Sequence, residues 1–143
     1  LMLAASQAGM AFSNSSVALV HGMSRPIGAH FHVAHGLSNA MLLPKITEFS
    51  IKGNEERYAT CARVMKWAVE NDNNETACSK LIENLFILNE DLKVPSPRNL
   101  GLSADHDLLK LMASQALASG SPQNNPRVPT EKQIIQLYQK IWE

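Results

Sequence analysis

The sequence has 143 residues and carries 13 basic and 13 acidic side chains, so its formal net charge at pH 7 is zero. With 45% hydrophobic and 18% charged residues, the composition is that of a globular domain, which excludes a disordered tail or a fibrous repeat. A chain of this length forms one domain, and a broad electrostatic surface for nucleic acid or anionic lipid would need a basic excess.

The first predicted element is unusual because residues 1–24 contain no Asp, Glu, Lys or Arg. A signal peptide would begin with basic residues, but the first positive charge here is Arg25. A transmembrane helix would need about 20 mostly apolar residues, and polar side chains interrupt this segment. We favour a buried helix that ends at His21, with a kink or a new N-cap at residues 13–16. Such a helix needs cover on every side, and we expect a chain that begins with Leu1 to have lost part of that cover.

Five more helices are predicted by apolar side chains at three- and four-residue spacing, after a break at Ser24–Pro26. Their predicted ranges are His35–Ile51, Glu55–Val69, Glu75–Leu92, Ala104–Ala118 and Glu131–Trp142. Ser103 and Thr130 are the predicted N-caps of the last two helices. The predicted inner face of the final helix consists of Ile134, Leu137, Tyr138 and Ile141. The sequence therefore predicts an all-α chain of six or seven helices in one domain.

The two cysteines, Cys61 and Cys78, lie inside amphipathic helical patterns. Neither belongs to a CxxC motif, and the chain has no disulfide-rich framework. We therefore expect two buried free thiols, which suits a reducing cytoplasm. Nothing in the sequence supports secretion.

Four of the five histidines, His21, His30, His32 and His35, lie within fifteen residues of one another. A single histidine is more often an ordinary core or surface residue than a metal ligand. Here, however, a turn between two helices can bring His21 and His35 to one point. Neutral imidazole suits Zn, Fe and Ni, but a catalytic metal usually has at least three protein ligands. His30 and His32 could supply a third through an HxH pair, which is weak evidence outside a strand.

A more specific pattern spans His21 to Pro44, which reads HGMSRPIGAHFHVAHGLSNAMLLP. It resembles the signature of the iron-containing alcohol dehydrogenases, in which a second histidine, fourteen residues after the first, opens a helix with the pattern HG-x-x-NA-x-LLP. Here the pattern continues after His35 through Gly36, Asn39, Ala40, Leu42, Leu43 and Pro44. The resemblance covers essentially the whole chain, and a match of this length is far more selective than a short motif.

The resemblance implies that residues 1–143 are a helical metal-binding domain, the all-α C-terminal part of a dehydroquinate synthase-like fold. In that family an N-terminal Rossmann-like domain binds NAD(P), and one Asp and three His bind Fe(II) or, in relatives, Zn(II). Two of those ligands match His21 and His35. The other two and the glycine-rich nucleotide loop are expected upstream, so no catalytic or cofactor-binding residue is assigned in this chain.

The function that the resemblance implies is interconversion of an alcohol and an aldehyde or ketone, by hydride transfer to or from NAD(P). The enzyme is expected to be cytoplasmic and a homo-oligomer, to bind neither nucleic acid nor membrane, and to be inactive as this chain alone. The alternatives are a Zn-dependent polyol dehydrogenase or an oxoacid reductase on the same scaffold, and a non-catalytic helical interaction module. The substrate, the native metal and the choice between NAD and NADP stay open.

Several positions near the motif differ from the family or lie outside its ligand set. Arg25 stands where many members carry a histidine implicated in proton relay, and a guanidinium cannot shuttle a proton at neutral pH. Arg25 could instead contact a phosphate or a substrate carboxylate. Ala34 replaces a frequent proline, and His30 and His32 occupy positions that the family does not use as ligands. Asn39, four residues after His35, is a candidate hydrogen-bond partner near the site.

Overall fold

The computed structural model describes residues 1–142, which form seven α-helices and two short 3-10 helices and contain no β-strand. The α-helices are α1 (Met2–Ser15), α2 (Leu19–Phe31), α3 (His35–Ile51), α4 (Glu55–Val64), α5 (Asn74–Asp91), α6 (His106–Ala118) and α7 (Glu131–Trp142). The 3-10 helices are Arg98–Leu100 and Ser121–Asn124. The all-α prediction is confirmed, and seven helices agree with the predicted number. In the described range no helix is long and apolar enough to cross a membrane.

Side-chain caps define where several helices begin. The N-cap residues whose side chains accept a backbone N–H are Asn54 for α4, Asn73 for α5 and Asp105 for α6. Before α7, Thr130 and Gln133 exchange two bonds, because each side chain accepts the backbone N–H of the other at 3.3 and 2.9 Å. The predicted cap at Thr130 is thus confirmed. The predicted cap at Ser103 is wrong, because the Asp105 carboxylate starts α6 two residues later.

The predicted helix break at Ser24–Pro26 is wrong, because these residues lie inside α2. The helix continues through Pro26 and ends at Phe31, where His32 adopts a left-handed conformation with φ of 55°. A proline inside a helix costs about 3 kcal/mol. That cost is offset because burial of each large apolar side chain contributes about 1.5–3 kcal/mol. The apolar side chains of α2 with no exposed surface are Leu19, Met23 and Ile27. His21 therefore lies in the first turn of α2, and the prediction that it ends a helix is wrong.

Helix α1 is exposed rather than buried. None of its residues is buried, and its large side chains Met2, Leu3, Met10 and Phe12 are all exposed. The helix ends at Ser15, and Ser16 has a positive φ of 65°. Asn124 donates hydrogen bonds to Ser16 Oγ at 3.2 Å and to the Val17 carbonyl at 3.0 Å, in the segment between α1 and α2. Within the described residues α1 thus has no cover, and the expectation that this helix is buried stays a prediction.

The main core lies between α2, α3, α6 and α7. Its buried residues are Leu19, Met23, Ile27, Leu42, Ile46, Leu109, Met112, Ala113, Ala116, Ile134, Leu137, Tyr138 and Ile141. The predicted inner face of the last helix is thus confirmed. At its centre the Tyr138 hydroxyl donates a hydrogen bond of 2.6 Å to the Met23 carbonyl. Burial raises the pKa of Tyr138 far above its ordinary value.

A second, smaller core joins α4 to α5. Its buried residues are Ala59, Ala62, Ala68, Ala77, Cys78, Leu81 and Leu85. Helix α4 ends at Val64 instead of the predicted Val69, because Lys66 takes a left-handed conformation with φ of 61°. The backbone N–H groups of Trp67 and Ala68 then both bond the Ala62 carbonyl, which turns Ala68 into the core.

Both cysteines are free, but only Cys78 is buried. Its thiol lies 3.4 Å from the Glu55 carbonyl, and burial raises its pKa. Cys61 is exposed on α4, because the buried face of that helix is formed by Ala59 and Ala62. The expectation of two buried thiols is therefore wrong for Cys61.

The turn between α4 and α5 is held by Asp72. Its Oδ2 accepts hydrogen bonds from Lys80 Nζ at 2.7 Å and from the Val69 N–H at 2.9 Å. Arg63 donates to the Asp72 carbonyl at 2.7 Å and to Asn74 Oδ1 at 3.1 Å. The hydrogen bond from Lys80, and then that from the backbone, lowers the pKa of the Asp72 carboxyl.

Replacing Tyr138 with Phe should lower the free energy of unfolding at pH 7 by about 1 kcal/mol, because the bond to Met23 is lost while the ring stays buried. Because burial raises the pKa of Tyr138, the phenol ionises more readily in the unfolded chain than in the folded one. The stabilisation of the folded state by Tyr138 is therefore complete below the ordinary tyrosine pKa of about 10 and is lost as pH rises above it. Urea unfolding at pH 7 and pH 11 should show a smaller alkaline loss in Tyr138→Phe than in wild type. Equal losses would contradict this account.

Replacing Asp72 with Asn should also destabilise the chain at pH 7. Because the folded pKa of Asp72 is lowered, the carboxylate stabilises the fold above its ordinary pKa of about 3.9 and ceases to do so as pH falls through the folded value. The difference between wild type and Asp72→Asn in urea unfolding should therefore shrink from pH 7 to pH 3. Asp91→Asn at the exposed end of α5 is the control and should show no loss. A constant difference at every pH would refute the proposed role of Asp72.

Candidate metal centre

His21 and His35 lie next to each other at the starts of two helices. His21 is in the first turn of α2, and His35 is the first residue of α3. Their ring centroids are 4.7 Å apart, with the planes at 80°. Residues 32–34 connect the two helices, and the start of α3 lies beside α2, so residues fourteen apart in sequence face each other. The sequence correctly predicts that these two imidazoles meet; their role as metal ligands stays a prediction.

Both ring nitrogens of His35 have partners. Asn39 Nδ2 lies 3.1 Å from His35 Nε2, one helical turn along α3. Ser24 Oγ lies 3.5 Å from His35 Nδ1 and donates a bond of 2.9 Å to the His21 carbonyl. Because the amide donates to Nε2 and the hydroxyl hydrogen is directed to His21, these contacts favour the tautomer with hydrogen on Nδ1. The orientation of the His35 ring is therefore set from both sides.

The surroundings of His21 favour its neutral form. Partial burial lowers its pKa, and electrostatic interactions with the nearby His35 and Arg25 lower it further. A pKa below the ordinary histidine value means that His21 is uncharged at neutral pH. Since a metal binds only the unprotonated nitrogen, this environment keeps a lone pair available.

The donor atoms present fit part of a divalent metal site. Two imidazoles suit Fe(II) or Zn(II), and the buried Asn39 Oδ1 beside them has no hydrogen-bond partner among the described residues. Within residues 1–142, however, no group of three or more His, Cys, Asp or Glu side chains is placed to hold a metal ion. A catalytic metal usually needs at least three protein ligands. His21 and His35 therefore fit as two ligands of a larger set.

The remaining residues singled out from the sequence lie around this pair in different ways. Arg25 is exposed on α2, close enough to His21 to affect its pKa. His30 Nε2 is bonded to Gln115 Oε1 on α6 at 2.9 Å, and His32 is the exposed C-cap of α2. Ala34 is the residue before α3. His30 and His32 thus have structural positions of their own.

Ser24 is the residue of the site that the sequence did not reveal. It is fully buried and contacts both histidines. Its spacing of three residues from His21 would place both on one helix face, but that signal depends on α2 continuing past Pro26. A predicted break at Ser24–Pro26 therefore concealed it.

Comparison with known proteins identifies the family to which the sequence is similar. Residues 1–142 match the Fe-containing alcohol dehydrogenase family, in its C-terminal part. The chain belongs to this family. It is 37% identical over 136 residues to lactaldehyde reductase of Escherichia coli K12, covering 94% of this chain and 35% of that protein. It is 29% identical over 138 residues to NADPH-dependent butanol dehydrogenase of Clostridium saccharobutylicum, with the same coverages.

Comparison with a solved structure shows that the fold is also shared with this family. The crystal structure of a 1,3-propanediol oxidoreductase superposes with a TM-score of 0.87 at 30% identity, over 94% of this chain and 35% of that one. The fold is therefore that of the C-terminal helical domain of the Fe-containing alcohol dehydrogenases. The chain spans about a third of the length of these relatives.

Replacing Ser24 with Ala should release one side of the His35 ring in this domain. The variant loses the contact with Nδ1, so nitrogen NMR of the histidine rings should show a larger share of the tautomer with hydrogen on Nε2. The free energy of unfolding should fall by about 1 kcal/mol through loss of the bond to the His21 carbonyl. Ser103→Ala, at an exposed position, is the control. An unchanged tautomer ratio would show that Ser24 does not orient His35.

Proposed function

We propose that this chain is the metal-binding C-terminal part of an NAD(P)-dependent alcohol dehydrogenase, an enzyme that interconverts an alcohol and an aldehyde or ketone. The observation that carries the proposal is the facing pair His21 and His35, in a chain that belongs to the Fe-containing alcohol dehydrogenase family. The two histidines would hold the metal together with ligands outside the described residues. Fe(II) is the proposed metal and Zn(II) the second candidate, since imidazole accepts both.

When bound, the metal would supply Lewis-acid chemistry and NAD(P) would supply a hydride acceptor or donor. This chain supplies two imidazole side chains that face each other. The low pKa of His21 keeps that ring unprotonated at neutral pH. Asn39 and Ser24 orient the ring of His35, and one of their two bonds must give way before that ring can bind a metal.

The substrate is proposed to be a small alcohol or aldehyde. The relatives are named for lactaldehyde, butanol and 1,3-propanediol, which are all small and uncharged. We assign Arg25 no proton-relay role, because its guanidinium stays protonated at neutral pH. Its exposed charge beside His21 suits attraction of an anionic group on a substrate or cofactor. NADP is one candidate cofactor, because a relative is named for NADPH, and NAD is the other.

The 143-residue chain alone is proposed to be inactive and to retain metal weakly. The site is incomplete because its two imidazoles have no third His, Cys, Asp or Glu ligand within residues 1–142. We also propose that the complete enzyme is a cytoplasmic homo-oligomer. The free thiols of Cys61 and Cys78 suit a reducing compartment.

The test of this function is replacement of each proposed ligand by Ala. In the complete enzyme, His21→Ala and His35→Ala should each lower metal content and turnover, by about 100-fold or more in activity. In the 143-residue chain, Zn(II) titration followed by histidine NMR should perturb these two rings first. His32→Asn removes an exposed imidazole at a left-handed position that asparagine tolerates, and it is the matched control.

Normal metal content and turnover in both ligand variants would refute catalysis at this pair and favour a non-catalytic helical module. Turnover measured on small alcohols, polyols and oxoacids, with Fe(II) or Zn(II), then distinguishes the reactions available to the scaffold. Stoichiometric, tightly held metal in the 143-residue chain would contradict the proposal that its site is incomplete.

A further inference from the structure

A cavity that neither His21 nor His35 lines is surrounded mainly by positively charged side chains. It has a volume of about 180 Å³ and lies between the second half of α3, the loop before α7, and α7 itself. Its charged lining consists of Lys45, Lys52, Arg127, Lys140 and the single carboxylate of Glu48. A chain with 13 basic and 13 acidic side chains thus places four cations and one anion around one small space.

Little of this positive charge is neutralised by neighbouring side chains. Lys45 Nζ lies 3.6 Å from Glu48 Oε2 and 5.1 Å from the centroid of the Phe86 ring. Within residues 1–142 the only other salt bridge joins Lys80 to Asp72, in the turn before α5. Lys52, Arg127 and Lys140 therefore have no carboxylate within 4.0 Å in the described part of the chain. Like charges around a common cavity repel one another, and an anion between them would relieve that repulsion.

Arg127 is held in place before any ligand arrives. Its guanidinium carbon lies 4.1 Å from the centroid of the Phe49 ring, and Nη1 donates a bond of 3.3 Å to the Phe49 carbonyl. The buried Asn125 donates to the Arg127 carbonyl at 2.8 Å and to Ser50 Oγ at 2.9 Å, which fixes the backbone beside it. An arginine fixed in this way loses less conformational freedom when its other N–H groups bind an anion.

The same loop lies tightly against the end of α3. A Cβ atom added at Gly53 would come within 2.4 Å of the Pro126 carbonyl group, so only glycine permits this approach. The contact fixes Arg127 relative to Lys52, which immediately follows α3. Two of the cations around the cavity are therefore carried by backbone segments that are packed together.

We propose that this cavity binds a phosphate dianion, either inorganic phosphate or the phosphate group of a phosphomonoester. Arginine and lysine supply donors only, which matches the acceptor oxygens of phosphate. Pockets for whole small molecules usually have volumes of about 300–1,000 Å³, so this smaller space suits one phosphate group. Lys45 and Lys140 also line a second cavity of about 170 Å³ beside Phe86 and Asn89, which can accommodate the organic part of an ester. This site is independent of the proposed dehydrogenase function.

The test is a titration of the 143-residue chain with inorganic phosphate at low ionic strength, followed by the backbone NMR signals of Phe49 and Arg127. We expect saturable shifts that weaken as NaCl is raised from about 0.05 to 0.5 M, because salt screens the attraction. Lys52→Gln and Lys140→Gln should each weaken binding about threefold or more, and the double variant about tenfold or more. Lys110→Gln on α6 removes an equal charge outside this cavity and should leave binding unchanged.

Each outcome decides the proposal. A phosphomonoester that binds more tightly than inorganic phosphate supports use of the adjoining cavity, and equal affinity supports a site for the phosphate group alone. Absence of saturation, an equal response to acetate, or an equal effect of Lys110→Gln would overturn it, since each would indicate only general surface charge. Circular dichroism of every variant checks folding. If Lys140→Gln unfolds the chain, the phosphate affinity of Lys52→Gln, which replaces an exposed side chain, tests the proposal instead.

Discussion

A single hydrogen bond joins parts of the chain that are 115 residues apart: the Tyr138 hydroxyl on α7 donates to the Met23 carbonyl on α2. Because α2 is fixed there, with Leu19 and Ile27 fully buried on the same face, the helix passes through Pro26 without ending. The position of the first turn of α2 then follows, and with it the place where His21 meets His35. The candidate metal centre is at the surface, but its geometry depends on this buried contact.

Although its net charge is zero, the chain has two clusters of nitrogen-containing side chains with different chemistry. His21 and His35 are brought together where a low pKa keeps His21 uncharged, which suits a metal ion. Lys52, Arg127 and Lys140 surround a cavity with positive charge, which suits an anion. A net charge of zero excludes a broad electrostatic surface, but it places no limit on charge within a space of about 180 Å³.

What the sequence predicted correctly depends on local pattern. Helix α7 follows from its apolar spacing and from the Thr130 capping box, and the meeting of His21 with His35 was expected from a turn between two helices. The errors arose where tertiary packing outweighed local preference. Burial carries α2 through Pro26, which concealed the role of Ser24. Sequence pattern alone also did not reveal the left-handed Lys66 that ends α4, or the exposure of Cys61.

The division of the interior into two cores has a consequence for the order of folding. The core between α4 and α5 is assembled almost entirely from residues 59–85, so its contacts need only short loops to close. The main core joins α2 to α6 and α7, and Met23 cannot meet Tyr138 until more than a hundred residues of intervening chain are arranged. Loop-closure entropy favours local contacts first, so the α4–α5 hairpin is expected to form early and the bond that positions the histidines late.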